Sequence, residues 1–147
     1  MKFPSAEWFQ ALQGRAGANQ ERFKKLGFVD AAVGIKVQPD NGGAPAGFVL
    51  EFAGYGCKKV TTSAQPAEAA DFVVEGKYSA WKEMIENIRA NGEADLEHTL
   101  NVLTLPGVPF KLEAADQLKA DLFFRYNQTL QEFFNCAADI ETEFDTE

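Results

Sequence analysis

Hydrophobic and polar positions change period along this chain, and the changes mark its elements. Near the start, Trp8, Phe9 and Leu12 fall on one side of a helix that Ser5 can cap. Gly14 and Gly17 are expected to interrupt it. Asn19 can cap a second piece that turns Phe23 and Leu26 inward and stops at Gly27. From Val29 to Val37 the period drops to two, with Val29, Ala31, Val33, Ile35 and Val37 alternating against Gly34 and Lys36, the mark of a half-buried strand. PDNGGAPAG, residues 39 to 47, is turn chemistry. Phe48, Leu50 and Phe52 alternate with Val49, Glu51 and Ala53 in a second strand. Gly54-Tyr55-Gly56 makes a tight connection into a third, Cys57 to Ser63, where Val60 and Thr62 favour extended backbone. Asp71 to Val74 starts a short fourth strand. Strands in sequence with short turns predict an antiparallel meander.

The period then returns to that of a helix. Between Lys77 and Asn91, Tyr78, Trp81, Met84, Ile85 and Ile88 share one side, while Lys82, Glu83, Glu86 and Asn87 occupy the other. Asn91-Gly92 ends that helix. Asp95 to Leu103 predicts a shorter one with Leu96, Leu100 and Leu103 aligned, and LPGVP breaks it. Phe110 to Ala114 predicts an edge strand. Asp116 can cap a terminal helix running to about Ala137. Strands first and helices later, without strand–helix alternation, predict an α+β fold.

The terminal helix carries an apolar arc wider than packing demands. At about 100° per residue, Leu118, Leu122, Phe123, Tyr126, Leu130, Phe133 and Phe134 fill roughly 160°, against a minimum core stripe of about 100°. Asp121, Arg125, Gln128 and Glu132 cluster opposite, and Phe124 falls outside both groups. Two readings stay open. The whole arc packs on the sheet, or part of it lines an interior space holding an apolar molecule. Core is the usual fate of aromatic stripes, so the pattern alone favours the first.

Composition bears on the same question. The chain has 147 residues, which predicts one domain able to bury a core without staples. Phenylalanine stands out at 13 copies against 3 tyrosines and 2 tryptophans. A net charge of −8 sets a field that repels a phosphate backbone. Lys24-Lys25 and Lys58-Lys59 are isolated basic pairs, so no nucleic-acid partner is expected. The acidic end from Asp139 is read as a solubilising tail. MKFPSAEWFQ lacks the apolar run of a secretory signal, and no stretch reaches the length of a membrane span. Cys57 and Cys136 lie outside any Cys-x-x-Cys pair. These features predict a cytoplasmic protein with reduced thiols.

Catalytic and metal-binding patterns are sparse. His98 is the only histidine and has no second histidine for a metal pair, so it is read as an exposed helix residue. Asp40-Asn41-Gly42 lacks the remaining ligands of a calcium loop. Gly54-Tyr55-Gly56 lacks the third glycine of a dinucleotide motif. Asp71, beside Phe72 and Val73, would have a raised pKa if buried; as a strand-entry residue it would instead bond the backbone. Cys57 follows Gly56 with only Lys58 and Lys59 nearby, and is read as core or strand surface. No metal or cofactor is expected.

The run ADFVVEGKYSAWKEMIENI, residues 70 to 88, resembles the sterol carrier protein 2 family. In that family a short strand bearing an aspartate, here Asp71, leads into a helix with an aromatic or aliphatic residue at the Trp81 position and an apolar pair like Met84-Ile85. The element order is similar over nearly the whole chain, and the residue pattern over about 65 to 137. The last strand differs: GVPFKLEAAD, residues 107 to 116, has Pro109 at its start and Ala115 where the family pattern has glycine before the aspartate. The resemblance implies a mainly antiparallel five-stranded sheet with helices covering one face. It also implies an apolar tunnel between them that holds a lipid, fatty acyl chain or sterol-like molecule.

With that resemblance, non-catalytic carriage of an apolar small molecule becomes the leading expectation. The expected ligand-lining residues are Trp81, Ile85, Ile88, Leu100, Leu103, Phe110, Leu122, Phe123, Tyr126, Leu130 and Phe133. Tyr126 would offer a hydroxyl to orient a polar head. The alternative is a small enzyme or enzyme subunit with Asp71 or Asp30 as a buried base. A homodimer through the phenylalanines, and transient contact with a membrane or an enzyme, stay open as partner expectations.

Overall fold

Capping chemistry sets the ends of the helices in the computed structural model, which describes residues 2–40, 42–95, 98–99 and 110–144. The Ser5 side chain accepts a hydrogen bond from the Trp8 N–H at 3.1 Å and starts α1, Ala6–Ala18. Trp8, Phe9, Leu12 and Ala16 face the core. The expected interruption at Gly14 and Gly17 does not occur, because α1 runs through both. Helix-interior glycine costs roughly 0.5–1 kcal/mol, and the buried aromatic face of α1 outweighs that. Asn19 bonds back to the Arg15 carbonyl at 2.9 Å and does not cap α2, Gln20–Lys24. Since α2 has only five residues, Leu26 lies past its last turn. It is 37% exposed and does not face inward as its spacing predicts.

Five strands form the main sheet: β2 Val29–Gln38, β3 Ala46–Gly54, β4 Gly56–Thr62, β5 Phe72–Lys77 and β6 Lys111–Ala114. Their spatial order is β4-β3-β2-β5-β6. β2, β3 and β4 form the predicted antiparallel meander. The fourth strand departs from it, pairing parallel with β2, with Val33 opposite Phe72. Parallel pairing requires a crossover, and here residues 63 to 71 cross the outer face of the sheet. Gly34 and Gly47 let that segment lie flat. A Cβ on Gly34 would crowd Val73, Ala70 and Pro66, and one on Gly47 would strike the Ser63 carbonyl and Pro66. β6 closes the edge antiparallel to β5.

The inner face of the sheet carries Val29, Ala31, Val33, Ile35 and Val37 of β2, with Phe48, Leu50 and Phe52 of β3 and Phe72 and Val74 of β5, all buried. Among the described residues it is covered by α1, α3 (Tyr78–Asn91) and α4 (Gln117–Asn135). Gly92 stops α3 with φ 84°, a left-handed backbone that glycine adopts without a Cβ clash. Asp116 starts α4 by accepting the Lys119 N–H at 2.9 Å. The helix ends at Asn135 and tightens into a 3-10 turn, Cys136–Asp139. The result is an α+β fold with a mostly antiparallel five-stranded sheet.

The described part of the acidic end is more than a solvated tail. Glu143–Phe144 (β7) pairs parallel with Lys2–Phe3 (β1). Phe3, buried, packs edge-on to Trp8 at 4.8 Å, and the Trp8 indole N–H bonds the Thr142 hydroxyl at 3.0 Å. The predicted helix from Asp95 to Leu103 falls largely outside the described residues, as do Leu100 and Leu103 themselves. Both cysteines are free and buried.

Candidate functional site

The expected ligand-lining residues divide into two groups along the helical layer. Trp81, Ile85 and Ile88 of α3 are fully buried, and Phe110 nearly so. The Trp81 ring lies 4.4 Å from that of Phe110 and 5.6 Å from that of Phe134. Its N–H donates to the Lys36 carbonyl at 3.3 Å. Gly76 leaves the space that the Phe110 ring fills. Phe133 stands edge-on to Phe52 at 5.3 Å. At this end the rings fill the volume between helices and sheet.

The second group lies along α4 from Leu118 to Leu130. Phe123 is fully buried and packs edge-on to Phe72 at 5.7 Å. Leu122 and Tyr126 are half-buried, Leu130 is buried, and Leu118 is 79% exposed. Between α4 and the sheet lies a void of about 10 Å³, bounded by Val29, Val33, Phe52, Phe72, Tyr126, Thr129 and Leu130, with no polar atom exposed to it. Tyr126 and Leu130 belong to the expected set. Val29, Val33, Phe52 and Phe72 do not, although the alternation of the strands already placed them on the inner face. A void of this size is about one water's worth of space. On the outside of the same helical segment, Leu118, Lys119, Asp121, Leu122 and Arg125 line a mostly apolar groove of about 460 Å³. The Arg125 guanidinium stands 5.3 Å from the centre of the Tyr126 ring.

One polar contact ties this part of α4 to the sheet. The Lys119 ammonium sits 2.7 Å from Asp71 Oδ1, and the Ala32 N–H donates to Asp71 Oδ2 at 2.8 Å. Partial burial pushes the Asp71 carboxyl up, but the Lys119 hydrogen bond, the Ala32 N–H and the Lys119 charge outweigh it and hold the group below its ordinary range. Asp71 is therefore an ionised strand-entry residue with backbone and ammonium partners. Asp30 is exposed. Neither carboxylate is the buried base that the enzyme alternative requires. Beside Asp71, a cleft of about 250 Å³ at the sheet end is walled by Ala67, Ala70, Ala114 and Ala115. Glu113 lines it too, and burial, followed by its hydrogen bond and repulsion with Glu75, holds the Glu113 carboxyl above its ordinary range.

The remaining chemical candidates are structural. His98 bonds Asp95 at 2.6 Å and faces Glu83 of α3 at 3.6 Å, so it bridges two acidic groups instead of facing water alone. Those contacts, that of Asp95 foremost, raise its pKa. Burial pushes the Cys57 and Cys136 thiols up to about 11, which leaves them un-ionised near neutrality. Among the described residues no group of three or more histidine, cysteine or carboxylate side chains could hold a metal ion. None of the described helices is long and apolar enough to cross a membrane.

No family model matches the sequence, and no curated protein matches it. Solved structures do. A conserved hypothetical protein of Thermus thermophilus, offered as a candidate sterol carrier protein, superposes with a TM-score of 0.68 at 21% identity, covering 95% of this chain and 90% of its own. A crystal structure of sterol carrier protein 2 superposes with a TM-score of 0.66 at 20% identity, covering 92% of this chain and 96% of its own. The fold is sterol carrier protein-like.

Proposed function

We propose that this chain binds and carries an apolar small molecule, of lipid, fatty acyl or sterol-like size, between α4 and the sheet. The observation that carries the reading is the wholly apolar void beneath Tyr126, Thr129 and Leu130, at the middle of α4 where its less anchored first half ends. The sterol carrier protein-like fold supports it, since one of the similar structures is a sterol carrier protein. A ligand pocket for a drug-sized molecule holds about 300–1,000 Å³, so a guest must widen this void. It does so by lifting the first half of α4, where Phe123 on Phe72 and the Lys119–Asp71 pair are the contacts to be displaced. Apolar burial at roughly 25 cal/mol per Å² then supplies affinity without a catalytic group.

Titration with a fluorescent fatty acid or sterol tests this. Saturable binding is expected, and Val33→Phe, which fills the void from the sheet side, weakens it by about tenfold or more. Val33→Ile is a milder filling variant if the larger ring impairs folding. Absence of saturable binding into the micromolar range, or binding indifferent to both substitutions, rejects the reading.

A further inference from the structure

Past Gly92, where α3 ends, the chain turns back on the helix it has just left. Glu83 and Asn87 stand one turn apart on the polar side of that helix. Asn87 clamps Asp95 twice: its Oδ1 accepts the Asp95 N–H at 2.9 Å, and its Nδ2 donates to Asp95 Oδ2 at 2.9 Å. Asp95 Oδ1 accepts the His98 N–H at 3.1 Å and lies 2.6 Å from His98 Nδ1. The other ring nitrogen, Nε2, lies 3.6 Å from Glu83 Oε1. A neighbouring link, from the Ala94 N–H to Asn135 Oδ1 at 3.1 Å, ties the same turn to the end of α4 without a titratable group.

The histidine ring therefore has a carboxylate at each nitrogen. A neutral imidazole carries one N–H, so it donates to one of them and turns a lone pair toward the other. Only the imidazolium has a donor for both. Asp95, from the turn, and Glu83, from α3, are the titratable groups facing the ring among the described residues, and Asn87 beside them is uncharged. The Asp95 contact is short and local, made within one turn of chain. The Glu83 contact is the longer one, and it is the arm that crosses from the turn to the helix.

We propose that this junction is a proton-operated clasp: protonated His98 holds the turn to Glu83 of α3, and neutral His98 releases that arm while Asn87 keeps Asp95 in place. The Asp95 hydrogen bond foremost, with the charges of Asp95 and Glu83, outweighs partial burial and holds the His98 pKa above its ordinary value of 6.5. With the folded value above the unfolded one, the contribution of the ring is complete below about 6.5 and is lost as pH rises through the folded value. The clasp is thus closed in mild acid and slackens as pH climbs. It acts at the exit of α3 and involves no cargo, so failure of the carrier reading leaves it standing, and the reverse.

His98 is the single histidine of the chain, so proton NMR of the full protein follows its ring directly. Its titration midpoint is expected above 6.5, lowered by Glu83→Gln and lowered further by Asp95→Asn. The Glu83 side chain is 71% exposed, so Glu83→Gln leaves the fold intact. Hydrogen exchange reads the clasp itself. As pH rises through the midpoint, and after correction for the intrinsic rise of exchange with pH, the Asp95 and His98 amides are expected to exchange about threefold faster, the worth of one exposed pair. Glu83→Gln removes that step, and the Ala94 amide, held by Asn135, does not show it. A midpoint at or below 6.5, a midpoint indifferent to Glu83→Gln, absence of the step, or an equal step at Ala94 overturns the proposal.

Discussion

The two halves of α4 are held by different means. Between Gln117 and Tyr126 only Phe123 is buried, and one lysine–aspartate pair adds to its hold. Between Asn127 and Asn135, Thr129, Leu130, Phe133, Phe134 and Asn135 are all buried. Phe134 alone has rings of Trp8, Phe9, Trp81 and Phe133 around it. The Asn135 side-chain carbonyl accepts the Ala94 N–H at 3.1 Å, tying the end of this half to the segment after α3. One helix with one apolar arc is therefore part core and part cover. Stability resides where rings interlock, and on the proposed reading a guest enters where they do not.

The sharpest way to break this contrast is to remove a ring from each half. Phe134→Ala leaves a cavity among aromatic neighbours and is expected to cost about 3–5 kcal/mol in urea unfolding. Phe123→Ala also removes a buried ring, yet it lies in the half proposed to open. A smaller loss is expected, together with faster exchange of fluorescent ligand. Equal losses from the two substitutions argue that α4 is uniformly anchored.

Lys119→Ala cuts the polar tie without touching the core. Native-state hydrogen exchange should then speed up for Gln117–Phe124 and stay unchanged for Thr129–Asn135. Uniform acceleration along the helix counts against a separately opening half. pH offers the mildest probe. The Asp71 pKa lies below its ordinary value of 3.8 when folded. Its contribution is thus complete above the unfolded value of about 4 and disappears as pH falls through the folded one. Exchange of the first half of α4 should be insensitive to pH from neutrality down to about 5 and accelerate only in stronger acid. Asp71→Asn should remove that acid step.

Much of the fold was legible from short-range chemistry. Ser5, Gly92 and Asp116 mark helix ends where the structure has them, because a cap is decided by a few adjacent backbone groups. The inner face of β2 followed from alternation alone. Less legible was the depth of burial. Trp81 and Tyr126 both sit on apolar stripes, yet Trp81 is fully buried among rings while Tyr126 borders a void under Arg125. Periodicity reports the direction a side chain points and says nothing of how completely its surroundings close around it. The sheet-side walls of the void, Val29, Val33, Phe52 and Phe72, were visible as core but not as lining, for the same reason.

By itself the sequence determined the kinds of element, most of their ends, and an α+β class. These depend on dihedral preference, capping and periodic burial, all of which act within a few residues. Only the tertiary structure decided that β5 enters parallel beside β2, that Asp71 meets Lys119, and that Phe28 stacks on Tyr55. Each joins residues far apart in the chain. Such pairings are selected by which faces can be buried together and which small residues, such as Gly34 and Gly47, permit the approach.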